Sequence, residues 1–450
     1  MKLNLIREKF LKAWQIAERV AGNKTSGTKA EKDLGSTILF TASEDGILTL
    51  EATDLKTSSV KCIAQGVEVI EKGSAVIPVS VAGSLIKKSQ DENITLEVNE
   101  ERGIIISGKN RTRFSTPTIN DFPEIPRSEN GEFICRMALN DFIRLINEGS
   151  SASPKPTDFP KYIGTCLLRT SAEEKIIKSI STDGRRLALS EIHCEVTKDQ
   201  DIILPSPAAK DLIKNLPAEK VDCMIDISTD GDTAWFSVDN TEFSVRLVET
   251  SFPAYERILS DTNKTTMIIS RTEFLAALDR IEVIARENVG NVASLILEPE
   301  KNLVLTAKAV DHGTASELLK AEISGSIMQI GFSVGLLQDG LQVLGQGDVK
   351  IEFSGQEEQA RLYRSNDDSF LYMLMPARLS REDILDEEEI KELRPDLVEK
   401  FESEQNEQAV NNNDNNDNNE NNNDNNNDNN NDSNPEPESE SEPEPGSENI

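Results

Sequence analysis

The sequence is poor in the side chains on which most catalytic and metal sites depend. Its 450 residues include two histidines, His193 and His312, and neither has a partner at the spacing of a metal site or a catalytic triad. His193 falls in an alternating, strand-like run, and His312 stands beside Gly313 in a predicted turn. We therefore expect structural or solvent-facing roles for both histidines.

The cysteines also argue against a bonded framework. They are odd in number and never closer than 28 residues, a spacing that fits neither a disulfide scaffold nor a clustered zinc site. Small, reduced, buried side chains are the better interpretation. The five positions are Cys62, Cys135, Cys166, Cys194 and Cys223.

Phosphate-binding and membrane signals are missing as well. There is no GxxxxGK[ST] loop and no GxGxxG fingerprint, and the nearest phrase, Gly345-Gln346-Gly347-Asp348, lacks the third glycine. No apolar run reaches 18 residues, and the N-terminal residues lack a secretory hydrophobic region. We expect a cytoplasmic protein with no membrane partner, no metal and no cofactor. No catalytic constellation is visible, although an enzyme is not excluded.

Most of the negative charge lies at the C-terminal end. The chain has 80 acidic and 48 basic residues, a net charge of −32, but residues 381–450 alone hold 24 acidic and 4 basic residues. Residues 411–434 contain 17 asparagines in 24 positions. Such a segment buries no apolar surface, so we expect a disordered tail over residues 405–450. Apolar spacing in residues 380–404 suggests a short amphipathic helix before it.

Three landmarks recur in the same order along the rest of the chain. The first, a phenylalanine near a helix start, falls at Phe10, Phe142 and Phe274, two intervals of 132 residues. The second, ahead of a short helical pattern, falls at Pro78, Pro205 and Ser333. The third, in a closing strand, falls at Phe114, Phe243 and Phe370. Self-similarity of this kind predicts a threefold repeat.

Each repeat has the pattern strand, helix, strands, helix, strands, which predicts an α+β fold. We place the domains at residues 1–127, 132–260 and 264–379, each large enough to bury a core of its own. Repeated domains in a curved row can close into a ring if two chains meet head to tail. The polar faces of the predicted helices carry Lys12, Arg19, Lys87, Lys88, Lys210 and Lys214. Phosphate contact and ordinary solvated faces explain these cations about equally well.

Three further motifs stand out: Thr182-Asp183-Gly184-Arg185-Arg186-Leu187-Ala188, Phe252-Pro253-Ala254-Tyr255-Glu256-Arg257-Ile258-Leu259 and Tyr372-Met373-Leu374-Met375-Pro376-Ala377-Arg378-Leu379. Together they resemble the motifs of a known family, the bacterial sliding clamps, which are the β subunits of DNA polymerase III. The resemblance covers roughly residues 1–379. The family's chain ends at the position of Leu379, so the later residues are an extension that it does not explain.

The resemblance implies three tandem clamp domains, with antiparallel sheets outside and helices inside a ring. It implies a head-to-tail homodimer that encircles double-stranded DNA without reading its sequence. The ring would tether the replicative DNA polymerase, the clamp loader and repair proteins through short linear motifs and would have no catalysis of its own. A DNA-independent scaffold of repeated α+β domains is the alternative, and an enzyme with an unseen site is a third.

The resemblance also assigns site residues. A partner-peptide pocket between domains two and three maps onto Tyr162, Thr182, Gly184, Arg185, Arg186, Leu187, Pro253, Arg257, Ile258, Ser333, Leu336, Met373, Met375, Pro376, Ala377 and Arg378. The family more often has His, Asn and Tyr where this chain has Arg185, Ser333 and Leu336. The opposing interpretation is that Met373–Leu379 is only an edge strand of its own domain.

The dimer interface maps onto Arg102, Arg111, Arg113, Phe114, Arg280, Val283, Ile284, Asp311 and Glu317. The family's acidic run is thinner here, so we expect the seam to depend on Phe114 against Val283 and Ile284. DNA-contacting loops map onto Lys24 or Lys29 in domain one and onto Lys155 and Lys161 in domain two. For the acidic tail we weigh two interpretations, competition with DNA phosphates for these cations and an inert repeat.

Overall fold

The computed structural model describes residues 1–21, 35–99, 102–156, 159–216, 223–259 and 263–379, together with Ile384, Glu388 and Glu389. Met1–Leu385 form one compact unit and Asp386–Ile450 a second. Lys24, Lys29, the predicted 380–404 helix as a whole and the tail at 405–450 lie outside the described residues. Across the described ranges, no helix is long and apolar enough to cross a membrane.

The first unit contains three copies of one arrangement of nine strands. In the first copy the strands are β1 Lys2–Ile6, β2 Thr37–Ala42, β3 Leu48–Thr53, β4 Ser58–Ile63, β5 Val67–Glu71, β6 Gly73–Pro78, β7 Asn93–Val98, β8 Arg102–Ser107 and β9 Asn110–Ser115. In the second they are β10 Glu132–Ala138, β11 Thr165–Ser171, β12 Ile176–Thr182, β13 Arg186–His193, β14 Glu195–Val196, β15 Gln200–Pro205, β16 Met224–Thr229, β17 Thr233–Val238 and β18 Thr241–Arg246. In the third they are β19 Thr265–Ser270, β20 Val292–Leu297, β21 Leu303–Ala309, β22 Gly313–Leu319, β23 Ala321–Gly325, β24 Met328–Ser333, β25 Asp348–Phe353, β26 Ala360–Arg364 and β27 Asp367–Leu374.

Two helical segments interrupt the strands at the same two places in every copy. The helices are α1 Arg7–Ala21, α2 Ser84–Lys88, α3 Leu139–Gly149, α4 Ser206–Asn215, α5 Arg271–Ala285 and α6 Val334–Val343. A π-helical turn, Val79–Gly83, precedes α2. All neighbouring strands pair antiparallel. The predicted α+β fold with three tandem copies is thereby confirmed.

The repeated landmarks mark equivalent places in the three cores. Phe10, Phe142 and Phe274 are fully buried where the first helix of each copy packs on its sheets. The second landmark is the extended residue immediately before the second helical segment of each copy. In the first copy that segment packs so closely on α1 that a Cβ atom at Gly83 would come within 2.8 Å of the Trp14 ring. Glycine at position 83 therefore allows the two helical segments to pack.

Successive copies are joined by strand pairing as well as by linkers. Strand β4 of the first copy pairs with β18 of the second, and β13 of the second pairs with β27 of the third. Two nine-stranded sheets result, each spanning two copies. The remaining sheets have the orders β5-β1-β7-β8-β9 and β22-β21-β20-β24, so β9 and β22 are edge strands within the described chain.

The histidines and cysteines lie where their sequence contexts predict. His193 ends β13, and His312 is in the turn between β21 and β22. All five cysteines are free thiols; Cys62, Cys135 and Cys166 are buried, and Cys194 and Cys223 are half-buried. Burial raises the pKa of the Cys62 thiol to about 12, which keeps it protonated at neutral pH. Small buried side chains are the correct interpretation for at least three of the five.

Candidate functional site

The predicted peptide pocket lies where the second copy meets the third. In the β13–β27 ladder, Arg186 faces Leu374 and Leu187 faces Met373. Leu187 and Met373 form a small buried cluster that is separate from the two main cores. Its other buried members are Leu167, Ile180, Ile203 and Tyr255. Tyr255 brings the linker Phe252–Leu259 onto this cluster, because Phe252 and Leu259 also pack against it.

The Thr182–Arg186 turn takes its shape from local hydrogen bonds. The Thr182 hydroxyl donates to the Arg186 carbonyl at 2.7 Å, and the Asp183 carboxylate accepts from the Arg185 and Arg186 amides at 2.9 and 3.1 Å. Gly184 has a φ of +86°, a conformation that favours glycine. The same bonding pattern occurs at Thr229–Thr233. These hydrogen bonds therefore stabilise the turn itself, and any binding at this site must involve the side chains that the turn exposes.

Arg186 is held by acidic partners from both copies. Its Nε donates to Asp183 at 2.9 Å, and its Nη1 donates to Asp339 of α6 at 2.5 Å and to the Tyr372 hydroxyl at 3.0 Å. Burial alone would lower its pKa, but Tyr372 and the two carboxylates outweigh burial and raise it. Burial also raises the pKa of Tyr372 to about 12. Arg186 is thus a charged link between the copies and has little freedom to bind a peptide.

Three other predicted arginines remain available at this site. Arg185, Arg257 and Arg378 are exposed, and none forms an ion pair with a carboxylate in the described part of the chain. Apolar side chains are exposed near them, with Ile258 47% and Met375 41% accessible. Exposed apolar groups beside exposed guanidinium groups suit a short peptide with apolar anchors and a carbonyl or carboxylate at the rim.

The segment Met375–Leu379 is attached to both copies. The Met375 amide donates to the Arg185 carbonyl and the Ala377 amide to the Gly331 carbonyl, each at 2.8 Å. It lies beside a cavity of about 440 Å³ that is lined by Gln329, Gly331, Gln356, Glu357, Met375, Pro376, Ala377, Arg378, Leu379 and Ile384. The segment is therefore more than an edge strand of its own domain, because it also joins the second copy.

Ser333, Leu336 and Tyr162 are further residues of the predicted pocket. Ser333 is the residue before α6, and the Leu336 carbonyl accepts the Tyr372 hydroxyl at 3.0 Å. Tyr162 contacts Phe252 edge to face and lines a second cavity of about 440 Å³ with Pro253. Phe159, which is 88% exposed, also lines that cavity and was missed in the sequence. An exposed aromatic residue leaves no periodic signal by which it could have been found.

The predicted dimer residues lie on or beside the edge strands β9 and β22. On β9, Arg111 and Arg113 are exposed, and Arg102 is exposed at the start of β8. Arg111 pairs with Glu97 of its own chain at 3.2 Å. A hydrogen bond from Lys2, more than the one from Arg111, lowers the pKa of Glu97.

Phe114, the aromatic residue predicted for the seam, is largely buried within its own copy. It is 7% exposed and lies over Gly103, where a Cβ atom would come within 2.1 Å of its ring. Phe243 and Phe370, its counterparts, are buried in the other copies. Phe114 is consequently a core residue of the first copy, and it offers the seam much less surface than the sequence indicated.

The opposite edge holds exposed apolar side chains and a satisfied ion pair. Arg280 of α5 pairs with Glu317 of β22 through two 2.5 Å contacts, and this hydrogen bonding raises the pKa of Arg280. Val283, one helical turn after Arg280, is 52% exposed, whereas Ile284 packs partly on the third core. Asp311 is exposed in the turn before β22. The sequence reasoning missed the exposed Val289, Val310 and Leu318.

The predicted DNA-facing cations differ in their exposure and in the partners that they have within the chain. Lys12, Lys88, Lys155 and Lys161 are exposed. Arg19 donates to the Lys214 carbonyl at 3.0 Å, Lys87 pairs with Glu18, and Lys214 pairs with Asp211 at 3.2 Å. Lys210 is half-buried, and burial lowers its pKa. Lys161 also lines the Tyr162 cavity. Lys12, Lys88, Lys155 and Lys161 are thus better placed to contact phosphates than the predicted cations that already have a partner or are half-buried.

Comparison with known proteins identifies the family. Three family models match in order, namely the N-terminal, central and C-terminal domains of the DNA polymerase III beta subunit, over residues 1–126, 139–254 and 256–378. The beta sliding clamp of Bacillus subtilis is 23% identical over 387 residues, covering 84% of this chain and all of that protein. The beta sliding clamp of Staphylococcus aureus is 26% identical over 344 residues, covering 76% of this chain and 88% of that protein.

Solved structures agree on the fold. The crystal structure of the DNA polymerase sliding clamp from Bacillus subtilis matches with a TM-score of 0.77 at 21% identity, covering 84% of this chain and all of that one. The DNA polymerase III subunit beta from Pseudomonas aeruginosa matches with the same TM-score at 24% identity and the same coverage. The chain belongs to the DNA polymerase III beta subunit family, the sliding clamps.

Proposed function

We propose that two copies of this chain meet head to tail in a ring that encircles double-stranded DNA and holds DNA-processing proteins on it. The observation that carries this proposal is the pattern of strand pairing between copies. The fourth strand of one copy pairs with the ninth strand of the next, as β4 with β18 and β13 with β27. If the same pairing of fourth and ninth strands is applied once more, two strands have no such partner within the chain. They are the fourth strand of the third copy and the ninth strand of the first.

Those two strands are β22 and β9, each of which stands at an edge of its sheet in the described part of the chain. An unpaired edge strand presents free N–H and C=O groups and is a template for pairing with another chain. Pairing β22 of one chain with β9 of its partner, twice about a twofold axis, satisfies both edges and closes the assembly. Leu318 of β22 and Val283 of α5, the helix that contacts β22, are exposed and would be covered there.

Within such a ring we propose a division of roles between surfaces. The exposed lysines contact backbone phosphates, which positions DNA without reading its sequence. The junction of the second and third copies receives short linear motifs of the replicative polymerase, the clamp loader and repair proteins. The chain performs no reaction of its own, and the polymerase activity belongs to the partner.

A topological experiment tests the ring. We expect protein loaded by a clamp loader onto nicked circular DNA to stay bound in 1 M salt and to be lost when the DNA is linearised. A protein held by phosphate contacts loses affinity steeply as salt rises, whereas a closed ring is lost only over a free end. Gel filtration of radiolabelled protein with the DNA measures retention. Equal loss from circular and linear DNA in high salt would favour the DNA-independent scaffold.

A further inference from the structure

Two of the five thiols lie on the same face of one strand pair in the second copy. Strand β10 pairs with β14, and the register places Cys135 opposite Val196 and Arg136 opposite Glu195. Residues two apart along a strand point to the same side, so Cys194, which directly precedes β14, is the diagonal neighbour of Cys135. Cys135 is a buried core residue, and Cys194 packs against the same core. The register and the packing therefore bring the two side chains together.

The two thiols form a hydrogen bond with each other. This bond raises the pKa of Cys135, which burial raises further, and it lowers the pKa of Cys194 against the opposing effect of burial. Cys194 therefore ionises first, with the Cys135 S–H group as its hydrogen-bond donor. Cys194 is also half-buried whereas Cys135 is buried, so a small oxidant reaches the Cys194 sulfur first.

The other three thiols contact oxygen atoms. The partners of Cys62, Cys166 and Cys223 are, in that order, the Ala13 carbonyl at 3.6 Å, the Ser179 hydroxyl at 3.1 Å and the Asp239 carboxylate at 3.6 Å. Burial raises the pKa of Cys62 to about 12 and that of Cys166 to about 11, which makes both unreactive at neutral pH. Cys223 is half-buried like Cys194 but lies beside a carboxylate, so it serves as a matched control.

We propose that Cys135 and Cys194 form a modification site at which a hydroperoxide oxidises the pair to an intramolecular disulfide. The Cys194 sulfur attacks the O–O bond of hydrogen peroxide, becomes a sulfenic acid and releases one water molecule. The Cys135 sulfur then attacks the sulfenic sulfur and forms the S–S bond, and its proton leaves with the hydroxyl group as a second water molecule. The two thiols lose two electrons, and the peroxide gains them.

The position of the pair suits such a bond. Strand β14 has two residues and stands at the edge of its sheet in the described part of the chain, so it can move toward β10 as the two sulfur atoms approach bonding distance. Strand β10 is the first strand of the second copy and leads directly into α3. The disulfide therefore attaches an edge strand, which could otherwise pair with another chain, to the start of its own copy.

Hydrogen peroxide is the probe, added in slight molar excess to the reduced full-length chain at neutral pH. Catalase removes the excess, and dithionitrobenzoate then counts the remaining thiols in denaturant. We expect the count to fall from five to three and to return to five after treatment with dithiothreitol. Mass spectrometry of the digested protein should show a peptide that contains Cys135 joined to a peptide that contains Cys194.

Three variants separate the roles of the thiols. Cys194→Ser changes a half-buried side chain by one atom and should keep its four thiols. Cys223→Ser, the matched control, should lose two of its four thiols as the wild type does. Cys135→Ser should stop at the sulfenic acid of Cys194, which dimedone labels. Thermal melting verifies that each variant is folded, and Cys194→Ser alone suffices if Cys135→Ser does not fold.

The alternative outcomes overturn the assignment. They are five thiols remaining in the treated wild type, a crosslink between other cysteines or between two chains, and equal thiol loss in Cys194→Ser and wild type. The measurement uses neither DNA nor a partner protein, so its result is independent of the proposed ring.

Discussion

Val283→Asp is expected to convert the dimer into folded monomers. Val283 is 52% exposed on α5, one turn from the Arg280–Glu317 pair that joins α5 to β22. In the proposed ring it is covered by the partner, and a carboxylate without a partner in an apolar contact costs about 3 kcal/mol. A ring has two seams, so the dissociation constant rises by roughly four orders of magnitude. Light scattering measures the mass, and thermal melting checks that the fold remains.

Two matched variants make this result interpretable. Ile70→Asp changes an apolar residue of similar exposure on β5, away from β9 and β22, and the dimer should persist. Phe114→Asp places a carboxylate in the core of the first copy, so it should lower the melting temperature, whereas Val283→Asp should not. A Val283→Asp protein that still scatters light as a dimer would remove this edge from the proposed interface.

The repeat was predictable because equivalent residues do the same physical work. Phe10, Phe142 and Phe274 are each fully buried at the start of an amphipathic helix. Packing therefore requires a large apolar side chain at the same place in each copy, and that requirement made the repeat visible in the sequence. The joints between copies were not predictable. Cys62 lies opposite Thr241 in the β4–β18 ladder, and no local pattern in either strand indicates that partner. Strand pairing over such a separation depends on the assembled fold.

The predicted peptide site shows the same difference between local and long-range information. The Thr182–Arg186 motif lies at the junction of the second and third copies, but the motif does not reveal that its two arginines have different contacts. Arg186 bonds Asp339, which is 153 residues away on α6, whereas Arg185 points to no carboxylate among the described residues. Phe114, which the sequence predicts for the seam, is buried in the first core for a related reason. Strand alternation places a side chain on one face, but it does not say whether that face is core or interface.

Glu148→Ala is expected to weaken the junction between the second and third copies by about 3 kcal/mol. Glu148 is 3% exposed on α3, accepts a hydrogen bond from Ser190 at 2.5 Å and pairs with Arg364 of the third copy. Its removal leaves the buried Ser190 hydroxyl without its acceptor. Of the two carboxylates that pair with Arg364, only Asp367 then remains. The free energy of unfolding, followed in urea by the fluorescence of Trp14 and Trp235, should fall accordingly.

Arg144→Ala is the matched control on the same helix. Its side chain is 39% exposed, lies 3.8 Å from Asp367 and donates to the Ser369 hydroxyl at 3.1 Å, so solvent screens the pair and the loss should not exceed about 1 kcal/mol. Comparable losses for Arg144→Ala and Glu148→Ala would mean that the buried carboxylate contributes no more than a surface charge. The junction would then depend chiefly on the β13–β27 ladder and on the apolar contact of Leu187 with Met373.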